Sequence, residues 1–513
     1  MPYVKNSVNY KRRSKRSPAA KGLAIAAAVV LTALVFTIGL RPRTHAVAKP
    51  VIRRTPVQSV AAVRRLPAPA WGAAARDDVR AALSQALASG VDGARDWSCV
   101  VIAQDGSVLY SDRAKHAVEP ASTQKLIVAD AALTDLGARY RFDTLLAATR
   151  APQDGSIAGD VFLEGSGDPS LRSSDLRAGV ESLRKAGVAA IQGRVVVDGS
   201  AVLGEEINPL WNADDANEDF MTATSGISVD GDTIEFHVIG GAAGTPAQIT
   251  TVPQSSTVEY SGTITSGTGD DVAIAATEVP NHFIVSGSIP AGVEEKFWVP
   301  VHGIAQYAGS VMDGLLKHGG ISVAQAAQTG TVPIDAQILW DHRSKPLPFL
   351  LQHMLVFSDN HFAEQFMRVL GGENGGIAND AGGIETERHL LAAQAIPTPG
   401  LHLVDGSGLA HADRVAGMTL ARILAHFDAD PNGNELYPLL PRGGKDGTLK
   451  MYDFTTAAGR VRAKSGHLSD AASLAGYVQT RKHGRVAFAF LINGSPGDPD
   501  AAIVSAVDRL AER

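Results

Sequence analysis

Three short motifs, far apart in the chain, must meet before any of them can do chemistry, and that requirement constrains the fold more than any other feature. They are Ser122-x-x-Lys125, Ser358-x-Asn360 and Lys464-Ser465-Gly466, in that order. A serine hydroxyl is a poor nucleophile near neutral pH and needs a base beside it. Lys125, three residues on, is one helical turn away on the same face. Leu126, Ile127, Ala129, Ala132 and Leu133 follow at helical spacing. Ser122 therefore falls near a helix N-terminus, where free N–H groups and the dipole favour developing negative charge. Ser358-Asp359-Asn360 lies between two helical patterns, 350–355 and 362–370. Lys464-Ser465-Gly466 ends a strand-like run ahead of a hairpin whose strands are Ser473–Thr480 and Val486–Asn493. Each string alone is weak, since Ser7-Val8-Asn9 also fits the second pattern. The bland reading is a helix cap, a loop and an edge lysine; order and placement argue for chemistry.

The rest of the chain frames that site. Its 513 residues allow two to four domains with a large core. The single cysteine, Cys99, excludes an intrachain disulfide and a multi-cysteine zinc site. Residues 1–76 carry fifteen Lys or Arg and no acid, leaving 32 of the 47 basic residues against all 53 acidic ones in the remainder. A basic arm on an acidic body argues against nucleic acid as a partner. Within the arm, a basic tail (1–21) precedes an uncharged run (22–40) long enough to cross a bilayer as a helix. Its positive flank stays in the cytoplasm, so the expectation is a single-pass anchor with the body outside. A signal peptide cleaved after Ala46-Val47-Ala48 is the rival reading, weakened by the length of the run and by Arg41 and Arg43. Residues 41–75, rich in Pro, Ala and Arg, read as an extended linker.

From about residue 76 the chain reads as globular. A helix over Asp77–Ser89 should stop at Gly90, a strand follows at Trp97–Ala103 with a hairpin turn at Asp105-Gly106, and a helix from about Asp500 closes the chain. Residues 371–383, rich in glycine, read as a mobile loop. Helices packed on an antiparallel sheet beside a helical lobe make an α+β architecture. More than two hundred residues separate Lys125 from Ser358, and 146–334 holds short alternating runs such as Arg194–Asp198 and Thr233–Val238, which predict β-rich inserted subdomains. No His-Glu-x-x-His pattern or phosphate loop is present, and Asp405, Ser407 and His411 lack the nucleophile-elbow pattern.

The ordered triplet resembles the penicillin-recognising serine enzymes. The insertion, with Gly165-Ser166-Gly167-Asp168-Pro169-Ser170-Leu171, Asp405-Gly406-Ser407-Gly408-Leu409 and Gly444-Lys445-Asp446-Gly447-Thr448-Leu449, makes it similar to the class C, low-molecular-mass penicillin-binding proteins, which are D-Ala-D-Ala carboxypeptidases with endopeptidase activity. The likeness implies a transpeptidase/β-lactamase-like catalytic domain from 76–145 and 335–513, interrupted by the insertion at 146–334. It implies acyl transfer through a serine ester on peptidoglycan stem peptides and inhibition by β-lactams; the anchor places the body in an extracytoplasmic (periplasmic) location, and the motifs call for no cofactor or metal. Ser122 would be the nucleophile and Lys125 its base, with a pKa lowered by burial and by a positive Lys464. Ser358 would relay a proton to the leaving amine, Asn360 would hold Lys125 and the substrate, and Lys464 would add positive potential. Ser465, Gly466 and His467 would line the substrate strand, with the His467 and Ser122 N–H groups as the oxyanion hole. Two residues depart from the family: Ser465 replaces a commoner threonine, and His467 stands where a small hydroxyl residue usually helps hold the carboxylate. The segment Trp211–Asp215 resembles one whose aspartate faces the stem's diamino acid, which makes Asp215 a candidate; an exposed acidic loop is the equal alternative. Another serine hydrolase on this fold, a β-lactamase or esterase, and a non-catalytic wall-binding protein remain the competing functions.

Overall fold

A computed structural model describes residues 71–215, 218–429 and 436–513. The anchor and linker expected over 1–75 lie outside the described residues, apart from the start of the first helix. Among the described residues no helix is long and apolar enough to cross a membrane. The helices are α1 (Ala73–Val91), α2 (Lys125–Asp135), α3 (Ser173–Lys185), α4 (Ile304–His318), α5 (Leu347–Phe357), α6 (Asn360–Gly371), α7 (Asp380–Ala393), α8 (Gly417–Ala429) and α9 (Pro499–Ala511).

The central sheet is antiparallel, with strands in the order Val108–Asp112, Asp96–Ala103, Arg485–Asn493, Ala471–Gln479, Val461–Leu468. Its strands read as near-continuous apolar runs because both faces are covered. Along Arg485–Asn493 the two-residue period divides them. Val486, Phe488, Phe490 and Ile492 pack with α1 and α9 on one face, and Ala487, Ala489 and Leu491 join the helical lobe on the other. The lobe is built around α2, whose residues 125–133 are all buried. The first helix does not stop at Gly90 as expected. It continues to Val91, and Gly90 instead lets α1 approach α9: a Cβ there would lie 2.8 Å from the Ala502 side chain. α9 is capped by Asp498, whose carboxylate accepts from Ala501 N at 3.0 Å, with Pro499 at the first helical position.

The insertion has its own core. A five-stranded sheet runs Gln328–Thr329, Val195–Asp198, Val161–Gly165, Asp143–Ala148, Gln337–Arg343, and smaller sheets follow, including Gln248–Val252, Thr233–Ile239 and Glu294–Pro300. The β-rich expectation omitted α3 and α4, which bury Leu176, Val180 and Leu183, and Tyr307, Val311 and Leu316, in that core. Asp143–Ala148 pairs with Gln337–Arg343, so both joints run through paired strands, a few residues outside the expected 146 and 334. A second departure concerns 371–383, read as a mobile loop. There α6 ends, a short 3-10 turn forms at Glu373–Gly375, and α7 starts at Asp380. Its glycines serve close backbone packing: a Cβ on Gly383 would lie 2.2 Å from the Met367 carbonyl oxygen.

One ion pair ties α8 to the sheet. Arg485, 9% exposed, bonds Asp428, 5% exposed, and its guanidinium lies 4.1 Å from the Tyr437 ring centre. Removing one partner of a buried pair leaves an uncompensated charge. Asp428→Ala should therefore lower the unfolding free energy by about 3–5 kcal/mol in urea titration; a loss under about 1 kcal/mol would show that the ring and solvent suffice for Arg485.

Candidate active site

The peptide before Ser122 is held in an unusual shape. Ala121 is fully buried with φ 47°, a left-handed conformation that costs a non-glycine residue energy and persists only when its surroundings fix it. Ser473 Oγ donates to Pro120 O at 2.7 Å, and Asn493 bonds both the N–H and the carbonyl of Glu119. Gly408 packs on Ala121 O, which a Cβ would meet at 2.0 Å. Ser122 then falls in a 3-10 turn (Ala121–Gln124) that opens directly into α2. The expected helix start is present, tightened by one turn.

Lys125 Nζ is the meeting point. It donates to Ser122 Oγ at 2.9 Å, Asn360 Oδ1 at 2.8 Å and Ser407 O at 2.8 Å, and the side chain is fully buried. Burial pushes its pKa down to about 8, against the opposing pull of Asp405, Glu364 and Asp359. Ser358 caps the C-terminus of α5 in a left-handed conformation (φ 58°), and Asp359 caps the N-terminus of α6, so Asn360 enters the site on the first turn of a helix. Lys464 Nζ donates to Ser358 Oγ at 2.9 Å and to Ser465 O at 2.5 Å. Burial first, and Lys125 second, hold the Lys464 ammonium well below the usual lysine range. Burial is the larger cause at both lysines, and the repulsion between the two amines opposes charge on each.

The strand Val461–Leu468 is the sheet edge. Ala463 N turns away from the sheet to Pro441 O at 3.2 Å. N–H directions alternate along a strand, so the N–H groups of Ser465 and His467 also face the open edge. Gly466 explains how near that edge comes: a Cβ there would lie 2.7 Å from Ser122 N and 2.9 Å from Thr123 N. Gly466 thus brings the strand that carries His467 against the Ser122 backbone. The His467 side chain goes elsewhere. Its Nε2 lies 2.9 Å and 3.1 Å from the two oxygens of Asp500 on α9, and 3.4 Å from Tyr452 Oη.

Five of the predicted site residues fall into two hydrogen-bonded sets, Ser122–Lys125–Asn360 and Ser358–Lys464, and Ser465, Gly466 and His467 follow Lys464 on its strand. Asp215 is not in contact with them. It sits in a short turn, Ala213–Asp215, where its Oδ2 accepts from Asn212 Nδ2 at 3.2 Å. Several contributors were not read as site residues; Asp405 and Ser407 stood out only as members of the Asp405–Leu409 segment. Ser407 acts through its carbonyl. Glu364 accepts from the Gly406 and Ser407 N–H groups (2.8 Å to the latter), and burial, reinforced by Asp405, pushes its carboxyl up to about 8. Asp405 accepts from Gly408, Leu409 and Ala410 N and from Trp211 Nε1 at 2.8 Å. Phe220 O, from the insertion, accepts from Asn360 Nδ2 at 3.1 Å. Glu119, His411 and Asp470 gather their ligand atoms within 4.8 Å, but Arg95 already bonds Asp470 at 2.6 Å and Glu119 at 3.2 Å, so the charge there is matched internally.

Gly466→Ala should displace Ser122 from the edge strand. A shift of about 1 Å at a reacting centre costs on the order of 10²-fold in rate. Acylation of Ser122 by labelled penicillin should fall by about that factor, with thermal unfolding little changed; an unchanged rate would mean that the edge need not approach so closely.

Comparison with known proteins fits this arrangement. The profile of the D-Ala-D-Ala carboxypeptidase 3 (S13) family matches residues 79–513, and the chain belongs to that family. It is 30% identical over 462 residues to a D-alanyl-D-alanine carboxypeptidase of Actinomadura sp., a match covering 85% of this chain and 84% of the relative. It is 27% identical over 394 residues to D-alanyl-D-alanine carboxypeptidase DacB of Haemophilus influenzae, covering 74% and 81%. The fold matches the crystal structure of penicillin-binding protein 4 from H. influenzae with a TM-score of 0.72 at 24% identity, over 84% of this chain and 98% of that one.

Proposed function

We propose that this member of the family cleaves the terminal D-Ala-D-Ala bond of peptidoglycan stem peptides, and the D-Ala cross-links between stems, through an ester on Ser122. One observation carries the reading: a fully buried lysine amine within 2.9 Å of a serine hydroxyl, held by hydrogen-bond acceptors that carry no formal charge. A carboxylate in that position would hold the amine as an ammonium; an amide and a peptide carbonyl leave it free to take a proton.

The steps follow from the geometry. Ser122 Oγ attacks the carbonyl carbon of the penultimate D-Ala while its proton passes to neutral Lys125. A C–O bond forms and the carbonyl π pair moves to oxygen, facing the Ser122 and His467 N–H groups. The oxyanion collapses and the C–N bond breaks. The proton that Lys125 took passes through the Ser358 hydroxyl, which Lys464 holds, to the leaving amine, and Lys125 is neutral again. Water then attacks the ester, its proton going to Lys125 and from there to Ser122 Oγ as the C–O bond breaks, which restores the serine. The terminal carboxylate of the substrate docks near Ser465. Its negative charge favours a protonated Lys464, which in turn opposes charge on Lys125. Asp215 lies in the insertion, five residues before the Phe220 whose carbonyl bonds Asn360, and would pair with the free amine of the diamino acid, a contact that a bare dipeptide lacks.

Labelled penicillin should acylate Ser122, and peptide mass spectrometry should place the adduct there. Lys125→Ala should slow acylation by about 10²–10⁴-fold. In the parent, Lys125 is charged below its lowered pKa and neutral above it. The second-order acylation rate should therefore rise as the pH climbs through about 8 and then level off. Label on another serine, or a pH-independent rate, would refute the assignment. A long-lived adduct separates this reading from a β-lactamase, whose adduct turns over rapidly.

The body is proposed to lie outside the cytoplasm, tethered by residues 22–40. What supports this is the basic flank ahead of a long uncharged run. Protease added to spheroplasts should digest the body, and carbonate washing should leave it on the membrane; a mature N-terminus at Lys49 would establish cleavage instead.

A further inference from the structure

The residue after Lys464-Ser465-Gly466 leaves a gap in carboxylate recognition. His467 has no hydroxyl, and its ring is engaged by Asp500 and Tyr452 on the α9 side. It opens there on a cavity of about 620 Å³ whose lining includes none of Ser122, Lys125, Ser358 or Lys464. Ser465 would then face the substrate carboxylate as the only hydroxyl from this strand segment.

A second hydroxyl is present, from a different segment. Thr448 Oγ1 lies 2.7 Å from Ser465 Oγ. The turn that carries it is fixed on both sides. Gly447 (φ 46°) packs on the last turn of α5, where a Cβ would meet Val356 O at 1.8 Å, two residues before Ser358. Leu449 is fully buried, its N–H donates to Asp446 O at 3.0 Å and its carbonyl accepts from Gly444 N at 2.9 Å. Arg442 closes the loop with a two-point contact to Asp446, at 2.6 and 3.0 Å. Thr448 is thereby held between the helix end that presents Ser358 and the strand that presents Ser465, and it is only half-buried.

We infer that Thr448 binds the C-terminal carboxylate of the substrate together with Ser465, supplying the hydroxyl that position 467 lacks. This rests on the carboxypeptidase reading above. The two hydroxyls bond each other as a donor and an acceptor, and Ser465 also bonds the Tyr452 hydroxyl. A carboxylate brings two oxygens and no proton, so each hydroxyl can turn its O–H to one of them. Both groups are uncharged, so the clamp itself needs no proton exchange with solvent.

The test compares one stem peptide ending in a free D-Ala carboxylate with the same peptide ending in a carboxamide, on the full-length protein. A hydrogen bond to a charged group, once lost, weakens binding by about 10- to 100-fold. Thr448→Val should raise KM for the carboxylate peptide by about that factor, with kcat nearly unchanged and the carboxamide peptide barely affected. Thr448→Ser, which keeps the hydroxyl, should stay near the parent. Adding His467→Thr to Thr448→Val should recover part of the lost preference. Equal loss on both peptides in Thr448→Val and Thr448→Ser would make Thr448 structural only, and an unchanged carboxylate preference in Thr448→Val would remove it from the site. A parent that neither cleaves the peptides nor reacts with labelled penicillin would overturn the carboxypeptidase reading, and Thr448 with it.

Discussion

A fully buried amine whose acceptors among the described residues are a hydroxyl, an amide and a peptide carbonyl is the constraint around which the catalytic domain is organised. Lys125 Nζ has three donors to satisfy when charged, and its acceptors come from three separate parts of the chain: Ser122 before α2, Asn360 on α6 and the Ser407 carbonyl. Leaving those donors unmet in the interior would cost several kcal/mol, on the order of 2–7 per group, so the three parts are bound to one another through this atom. The acids lie one layer back. Glu364 and Asp405 spend their oxygens on the N–H groups of the 406–410 turn, which is what aims the Ser407 carbonyl at the amine. They moderate the fall in the Lys125 pKa from there, while burial dominates. Close enough to oppose neutral lysine weakly, they are too occupied to form an ion pair with it.

The same logic explains an exposed sheet edge beside the site. An unpaired strand is an aggregation hazard that proteins usually cover or charge. Among the described residues no strand pairs with the outer side of Val461–Leu468, and Gly466 brings the strand within contact of the Ser122 backbone. A peptide substrate can pair along such an edge. The edge is functional, and its exposure is limited to the length of a short ligand because Ala463 is already satisfied by Pro441.

What the sequence revealed and concealed follows from how each residue acts. Ser122, Lys125, Ser358, Asn360 and Lys464 act through side-chain chemistry at short fixed spacing, so their pattern is local and legible. Ser407 acts through a backbone carbonyl, which any residue carries. Glu364 reads as one polar position on an amphipathic helix. Thr448 was visible only as part of a turn, because its meaning depends on Ser465, seventeen residues away across a fold. The burial of Lys464 was concealed for a related reason: a lysine in a motif says nothing of what surrounds it. The fold class was legible in the strands of the central sheet, whose two buried faces produce long apolar runs. The helices of the insertion were masked by the short strands between them.

The insertion completes the catalytic polarity as well as enlarging the chain. α6 carries the joint: His361 Nδ1 lies 2.9 Å from Ala223 O, Gln365 donates to Gly167 O and Ser225 O while accepting from Ser225 N, and Arg368 donates to Glu205 O. Asn360 begins that row. Its Nδ2 donates to Phe220 O, which leaves Oδ1 to face Lys125. An amide has two chemically opposite ends, and its orientation is decided by the network around it. Without the Phe220 carbonyl, the NH2 end could turn toward the amine, where donor would meet donor and the lysine would lose its acceptor. A backbone atom of the insertion, 140 residues from Asn360 in sequence, therefore fixes which end of that side chain the catalytic base sees.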